Sequence, residues 1–537
     1  MERYELDLGR LLGGARVMLL ALLACSACNR VPEGEETGGA DSGAVDSPVL
    51  DTSDSGDSAD STPPHTGDSR PPDSGDSADS GELDLWEAPD EPIVLFWTID
   101  TLGQFAAEEE DVCGLMQAAF GAYGLDVACR SGGVASSSWT LETHVRLLWP
   151  AHNQGAKRNS ITPDCGDVSV LVRGAQAYGG TSYLGADNAR FEDVGEIADC
   201  EGVNTWLQEL DGSWLMTDMD LVDQNELPED ERPVRLAMDA TLADAAKGGS
   251  VFTFLNDYES GGHVPRCFFD PTTESCDWIW SLMVEHGYVG EHDDRYQGFL
   301  GNEFWHSLTS ITGAGDSLDE EALREAFWGT TVETVAHFWE VRTLERIDAL
   351  LSSLQAAGRL DDLIIVMTSD HGEAPCADQT LIGTRACTHG SIPSEWVSQV
   401  PVYTVPANLA DYMERGGYLG PEGRVFSISN LGPGLLDALS VPPDTQWPDP
   451  EPPGQATSLT CYQNLTPRQR MGIRVFGEES VRCNDANCGA YTWAQLDGPH
   501  AGPEELDFVP VHLAALMEES WSGFTWFSAA CQGLVLD

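Results

Sequence analysis

The sequence predicts an α/β fold: a largely parallel central sheet with helices on both faces, followed by a small C-terminal α+β subdomain. Three apolar runs carry the expectation. Ile93 to Ile99, Val251 to Leu255 and Leu363 to Met367 are each continuous, and each leads into an acid, at Asp100, Asp257 and Asp370. A strand buried on both faces reads as such an unbroken run, because neither face needs polar residues. Helical stretches lie between the runs. Val341, Leu344, Ile347, Leu351 and Leu354 recur at spacings of three and four and outline one apolar helical face, and Gly358 is placed to end that helix just before the run at 363. Strands alternating with helices imply a parallel sheet.

The organisation follows from composition. In residues 1–25, Arg10 and Arg16 precede an apolar core, Val17 to Ala24, too short to span a bilayer as a mature helix. Leu22-Leu23-Ala24-Cys25 looks like a bacterial lipoprotein signal peptide, with cleavage before Cys25 and lipid on its sulfur. Cys28 is a second candidate, preceded less suitably. The chain is therefore expected to be extracytoplasmic, anchored to the cell envelope, and to meet the membrane through the lipid only. Residues 26–88 are rich in Ser, Asp, Gly and Pro, and the octet DSGDSADS stands at 54–61 and again at 73–80. Such a stretch has little to bury and is expected to be a disordered tether, extended by its own charge. Residues 89–450 form the expected main domain. Pro442 to Pro453 is a proline-rich break, and 455–537 the expected C-terminal subdomain.

The charge excludes some partners. The chain carries 27 basic and 89 acidic residues, a formal net charge of −62, and residues 31–90 hold only 17 of the acids. The main domain is itself strongly acidic, so nucleic acid and anionic lipid surfaces are repelled. Of the 14 cysteines, two lie in the signal region. The other twelve include close pairs such as Cys267/Cys276, Cys376/Cys387 and Cys483/Cys488. In an exported chain such pairs suggest disulfides, with connectivity left open.

The chemistry concentrates in three segments. The first strand runs into Asp100-Thr101-Leu102. Thr140-Leu141-Glu142-Thr143-His144 opens a predicted helix. Ser369-Asp370-His371-Gly372-Glu373 follows the last strand. In parallel sheets ligands sit beyond the carboxyl ends of the strands, where Asp100, Asp370 and His371 are expected. Carboxylate oxygens and imidazole nitrogens are suitable ligands for a divalent cation.

In order and spacing these segments resemble the sulfatase branch of the alkaline phosphatase superfamily. The resemblance includes Trp149-Pro150, Thr388-His389-Gly390 and Val400-Pro401-Val402, and covers roughly residues 90–450. It implies an alkaline-phosphatase/sulfatase-like fold and a hydrolase acting on a small-molecule, glycan-linked or lipid-linked anionic ester. It implies one or two divalent metal ions (zinc, manganese, calcium or magnesium) held by Asp100, Asp370 and His371, with Thr140 at the nucleophile position and contacting metal. His263 and His389 fall where the family contacts the ester oxygen or protonates the leaving group, and His144 stands where it has an arginine. Asp257 and Glu259 are further carboxylates open to a second ion.

The departures narrow the chemistry. Sulfatases oxidise a Cys or Ser to make their nucleophile, and Thr140 cannot undergo that conversion. Glu142 replaces the family's proline, and a carboxylate there would repel an anionic ester unless it faces away or binds metal. A threonine nucleophile resembles the phosphodiesterase and phosphoethanolamine-transferase relatives, so a phosphoester is expected over a sulfate ester. The alternatives are an envelope phosphoryl-group transferase and a non-catalytic surface binding protein that keeps the fold.

Overall fold

The computed structural model describes residues 86–137, 140–149, 168–187, 210–216, 228–258, 261, 320–381, 384–388, 394–442, 449–460, 471–484 and 488–493. The signal expectation and the tether up to residue 85 lie outside these residues. The last residues expected of the tether belong to the folded domain: Trp86 Nε1 donates to the Ala438 carbonyl at 2.8 Å, and Trp86 and Ala88 pack against the core. The strands are β1 (Ile93–Ile99), β2 (Ala128–Val134), β3 (Thr181–Ala186), β4 (Gly212–Leu215), β5 (Val251–Asp257), β6 (Leu363–Ser369), β7 (Ala374–Leu381), β8 (Thr384–Thr388), β9 (Gln399–Val405), β10 (Phe426–Ser427), β11 (Gln455–Thr460), β12 (Met471–Phe476), β13 (Glu479–Asn484) and β14 (Cys488–Thr492). The helices are α1 (Gln104–Glu109), α2 (Val112–Gly121), α3 (Thr140–Leu148), α4 (Val170–Tyr178), α5 (Pro233–Ala245), α6 (Glu320–Phe338), α7 (Leu344–Ala357), α8 (Glu395–Ser398), α9 (Ala407–Arg415) and α10 (Leu431–Ala438).

Eight strands form the central sheet in the order β10-β2-β9-β6-β1-β5-β3-β4. All neighbours run parallel except β9, which is antiparallel to both β2 and β6. The predicted α/β class with a largely parallel sheet is thus the observed one. The three apolar runs occupy its middle: β1, β5 and β6 are buried along their whole length. Alternate residues of β1 serve opposite faces, as the pleat requires. Val94 and Phe96 pack with Val145, Leu148 and Leu171 of α3 and α4. Ile93, Leu95, Trp97 and Ile99 pack with Met116, Met238, Ile347 and Leu351 of α2, α5 and α7.

Helix α7 follows the predicted periodicity through Ile347, Leu351 and Leu354, all buried. It ends at Gly358, whose φ of 68° places it in the left-handed conformation that glycine adopts without a Cβ penalty. The sequence placed Val341 on this face. Instead Val341 is exposed, because Trp339–Thr343 form a π-helical turn that shifts the phase of the chain before α7 begins. Arg346 takes a buried place on α7.

The described part of the C-terminal region is a four-stranded antiparallel sheet, β11-β12-β13-β14. It joins the main sheet through a cluster of Val134, Val425, Ala456, Ile473, Val475 and Trp493. Arg482 on β13 forms a buried ion pair with Glu395 on α8. No helix among the described residues is long and apolar enough to cross a membrane.

One disulfide, Cys113–Cys129, ties α2 to β2. Its two cysteines lie 16 residues apart, beyond the close pairs that stand out in the sequence. Cys488 is also disulfide-bonded, and the strand register sets it opposite Cys483. Cys267 and Cys276 lie outside the described residues. Closing a loop of this size restricts the unfolded chain by about 3 kcal/mol. Replacing Cys113 and Cys129 with serine is therefore expected to lower the unfolding free energy by about 2–4 kcal/mol in urea titrations, with little effect on the far-ultraviolet spectrum.

Candidate metal centre

Four adjacent strands, β6, β1, β5 and β3, run in one direction and reach the same edge of the sheet at Asp370, Asp100, Asp257 and Asp187. The register decides which face each carboxylate serves. Ile99 pairs with Ser369 on one side and with Asp257 on the other. Residues paired in register share a face. Asp257 therefore projects with Ile99 toward α7, while Asp100 and Asp370, each one residue further on, turn toward α3.

On the α3 face, Asp100, Asp370 and His371 converge. Each offers one ligand atom, all are buried, and these atoms lie within 4.8 Å of one another. Thr140, the first residue of α3, completes the group. Its Oγ1 lies 3.0 Å from His371 Nε2 and 3.4 Å from Asp100 Oδ2. Of the predicted site residues, the structure thus brings together Asp100, Thr140, Asp370 and His371.

The two oxygens of Asp370 differ. Oδ1 accepts hydrogen bonds from the backbone N–H of Thr101 at 3.0 Å and of His371 at 2.9 Å. Oδ2 is buried with no hydrogen-bond donor, and its near neighbour is His371 Nε2 at 3.4 Å. A buried carboxylate oxygen without a donor is costly unless a cation meets it. The donor set of two carboxylates, an imidazole and a hydroxyl suits a hard or borderline divalent ion. His371 is fixed from behind by a contact of 3.1 Å between Nδ1 and the carbonyl of Gly372, which leaves Nε2 facing the cluster.

The local backbone explains the small residues of the motif. Thr101 sits at φ 62°, a left-handed conformation strained for a β-branched residue, and its N–H bonds Asp370. Gly372 packs against the chain of α8. A Cβ there would lie 2.3 Å from the Trp396 carbonyl oxygen, and the Gly372 N–H donates to Val397 O at 2.7 Å. Gly261 lies closer still, since a Cβ would fall 1.4 Å from the carbonyl oxygen of Asp100.

Glu142 does not confront the site as an unanswered charge. It is fully buried, accepts from Ser137 Oγ at 2.8 Å, and faces Arg146 Nη2 at 3.8 Å one helical turn on. Arg146 in turn donates to the Ser136 carbonyl. His144 is buried between α3 and the sheet. Its Nε2 lies 2.9 Å from Thr98 Oγ1 and 3.3 Å from Asn256 Nδ2, and its ring stands edge-on to Phe254. Burial holds its pKa down at about 4, so the ring is neutral at pH 7. His263 and His389, the predicted contacts to the ester, lie outside the described residues, as does Glu259.

Asp257 departs from the expectation of a second-ion ligand. Arg346 Nη1 donates to Asp257 Oδ2 at 2.7 Å, and the same guanidinium reaches Asp187 at 3.4 Å and Glu229 at 2.5 and 3.0 Å. Sequence reading passed over Arg346 and Asp187. The available signal was an arginine beside Ile347 on the buried stripe, since a guanidinium enters a core only with anions to meet it.

No protein-family model and no curated protein matches the chain. Similar solved structures include the phosphonate monoester hydrolase of Agrobacterium radiobacter, at 13% identity over 82% of this chain and 96% of that chain, with a TM-score of 0.49. They also include a phosphonate monoester hydrolase from Silicibacter pomeroyi, at 13% identity over 81% and 95%, TM-score 0.46. A third is a 2-O GAG sulfatase, at 12% identity over 82% and 92%, TM-score 0.48. The likeness is one of fold.

The lowered pKa of His144 makes a pH test. The unfolded chain takes up this proton near its ordinary value of 6.5, the folded chain only near 4. Stability from His144 is therefore complete above about pH 6.5 and declines as pH falls toward 4. His144→Gln is expected to flatten the fall in unfolding free energy across this window, read from urea titrations at a series of pH values.

Proposed function

We propose that the chain is a metal-dependent hydrolase that cleaves an anionic ester, with a phosphoester favoured over a sulfate ester, and with Thr140 as its nucleophile. The observation that carries the reading is the position of Thr140 Oγ1, 3.0 Å from His371 Nε2 and 3.4 Å from Asp100 Oδ2, beside a buried Asp370 oxygen that lacks a donor.

In this reading Asp100, Asp370, His371 and Thr140 hold a divalent cation, which supplies positive charge that lowers the hydroxyl pKa and offsets charge growing on the ester. Thr140 gives up its proton to solvent, its Oγ1 forms a bond to phosphorus while the bond to the leaving oxygen breaks, and the leaving oxygen takes up a proton. Water then cleaves the threonine ester and restores the hydroxyl. Thr140 opens α3, and the first turn of a helix favours negative charge beside it. Glu142, paired with Arg146, leaves that anion-accepting end without an opposing charge. His263 and His389 are proposed to contact the ester oxygen or protonate the leaving group. His144 acts as a positioning residue that sets α3 against Thr98 and Asn256.

The preference for phosphorus rests on the nucleophile, since a threonine cannot become the oxidised residue on which sulfatases depend. The substrate is proposed to be a small-molecule, glycan-linked or lipid-linked ester, met outside the cytoplasm by a chain tethered through lipid on Cys25. Nucleic acid is not proposed as a partner.

Activity is to be assayed on aryl phosphate, phosphodiester and sulfate esters with zinc, manganese, calcium or magnesium supplied in turn. Asp370→Ala is expected to lose both the bound ion, read by elemental analysis, and turnover. Thr140→Ala is expected to lower kcat by at least about 10³-fold, as loss of a nucleophile does, while Thr140→Ser keeps measurable turnover. Full activity in the metal-stripped Asp370→Ala protein would refute the proposal, and turnover that requires an added alcohol in place of water would turn it toward a transferase.

A further inference from the structure

A cavity of about 370 Å³ lies where α1, the end of β14 and the turn between β12 and β13 meet beside β2. None of Asp100, Thr140, Asp370 and His371 lines it, and the proposed reaction makes no use of it. Its volume falls among those of small-molecule sites, about 300–1,000 Å³. Phe105 on α1 and Trp493 just after β14 form part of its wall, and each is only 6% exposed. Glu108 and Glu478 also line it, and both are exposed. No lysine, arginine or histidine is among the lining residues. The mouth is therefore anionic with no cation to offset it, on a chain whose formal net charge is −62.

The backbone keeps this space open. Pairing of β2 with β9 slips between Arg130 and Gly133, so Ser131 and Gly132, which line the cavity, have no partner residue in β9. Such a bulge bends a strand locally and is common beside functional sites. Gly132 lies at φ 88°, and a Cβ there would fall 2.9 Å from the Arg424 carbonyl oxygen. Gly423 and Gly477 add no side chain to the lining, and a Cβ on either would meet no atom within 4 Å. The N–H of Trp493 donates to the Glu478 carbonyl at 2.7 Å, which fixes the aromatic residue beside the acidic one.

Gln104 shows what is missing. It lines the cavity and is 6% exposed. Its Nε2 donates to Glu108 Oε1 at 2.5 Å and so holds that carboxylate at the wall. Its Oε1 is buried without a hydrogen-bond donor. A buried acceptor left unpaired is costly, and a donor carried in by a ligand removes the cost. The group left over is an acceptor, and the charges at the mouth are negative.

We infer that this cavity binds a small organic ammonium cation, an amine carried on a short apolar stem. Its N–H groups supply donors for the Gln104 amide and for the two carboxylates. Its charge is drawn by Glu108 and Glu478, and aromatic faces such as those of Phe105 and Trp493 attract cations. An anionic ligand is repelled by the same walls. A sugar also suits aromatic rings and carboxylates, yet gains nothing from the uncompensated charge. The inference does not depend on the proposed hydrolysis.

The test is isothermal titration of the full chain with butylammonium chloride in about 0.15 M salt, which screens general attraction to the acidic surface. Saturable binding at one site is expected. Butanol, similar in size but uncharged, is expected to bind at least about tenfold more weakly. Glu108→Gln and Glu478→Gln are each expected to weaken butylammonium binding by about threefold, and Trp493→Leu by at least as much. Glu340→Gln combined with Asp361→Asn removes charge at two exposed positions that do not line the cavity, and is expected to change the affinity by less than about twofold. Where Trp493→Leu fails to fold, the two glutamine variants decide, since both replace exposed side chains. Absence of saturable binding overturns the inference. So does butanol binding as tightly as butylammonium, an equal loss in the Glu340→Gln, Asp361→Asn protein, or glucose binding where the amine does not.

Discussion

The site depends on one constraint, the in-register parallel alignment of β6, β1 and β5. Because Ile99 stands level with Ser369 and with Asp257, the polar residues that end three apolar strands arrive at one edge together. Shifting one strand by a single residue would exchange its faces and carry its aspartate to the other side of the sheet. The apolar runs hold that register, since each face of β1 meets a separate hydrophobic cluster that tolerates no exchange. Precision at the cluster of Asp100, Asp370 and His371 is thus inherited from the packing of valines, isoleucines and phenylalanines well below it.

The same edge shows how a strongly acidic chain brings carboxylates out of water. Four of the buried acids are answered by a nearby arginine. Glu142 has Arg146, Asp257 and Asp187 share Arg346, and Glu395 has Arg482. With 27 basic residues against 89 acidic ones, buried arginines are a scarce resource, and the structure spends them at the sheet edge and its supports. Asp370 contrasts with these, since its Oδ2 is buried without a hydrogen bond and no arginine pairs with the carboxylate. The contrast between the two faces of the edge is the main reason to read one as a place for an external cation and the other as already supplied.

Much of the architecture was legible from residue pattern. Unbroken apolar runs ending in acids marked the three central strands, and Gly358 marked the end of α7, because these features follow from burial and from backbone conformation alone. Asp100, Asp370 and His371 were readable together because they follow strands that end at one edge, whereas Thr140 joined them only through the family resemblance of the sequence. What escaped notice depended on contacts between distant segments. The fate of Asp257 turned on Arg346, 89 residues away, and no spacing rule links the two. Val341 fitted the helical period, yet a π-helical turn, which leaves no signature in apolar spacing, placed it in solvent. The Cys113–Cys129 bridge joins a helix to a strand across a turn, and closeness in sequence favoured other pairs.

The link between β13 and α8 bears on how far the polypeptide can be shortened. Arg482 neutralises Glu395, which is fully buried, and two residues later the Val397 carbonyl receives the N–H of Gly372, next to His371. Cutting the gene at the proline-rich break would remove the arginine and strand an anion in a dry interior, one helical turn from the loop that presents the imidazole. Strands β11–β14 are therefore a brace for the main sheet, and an excised core lacking them would inherit a slackened histidine.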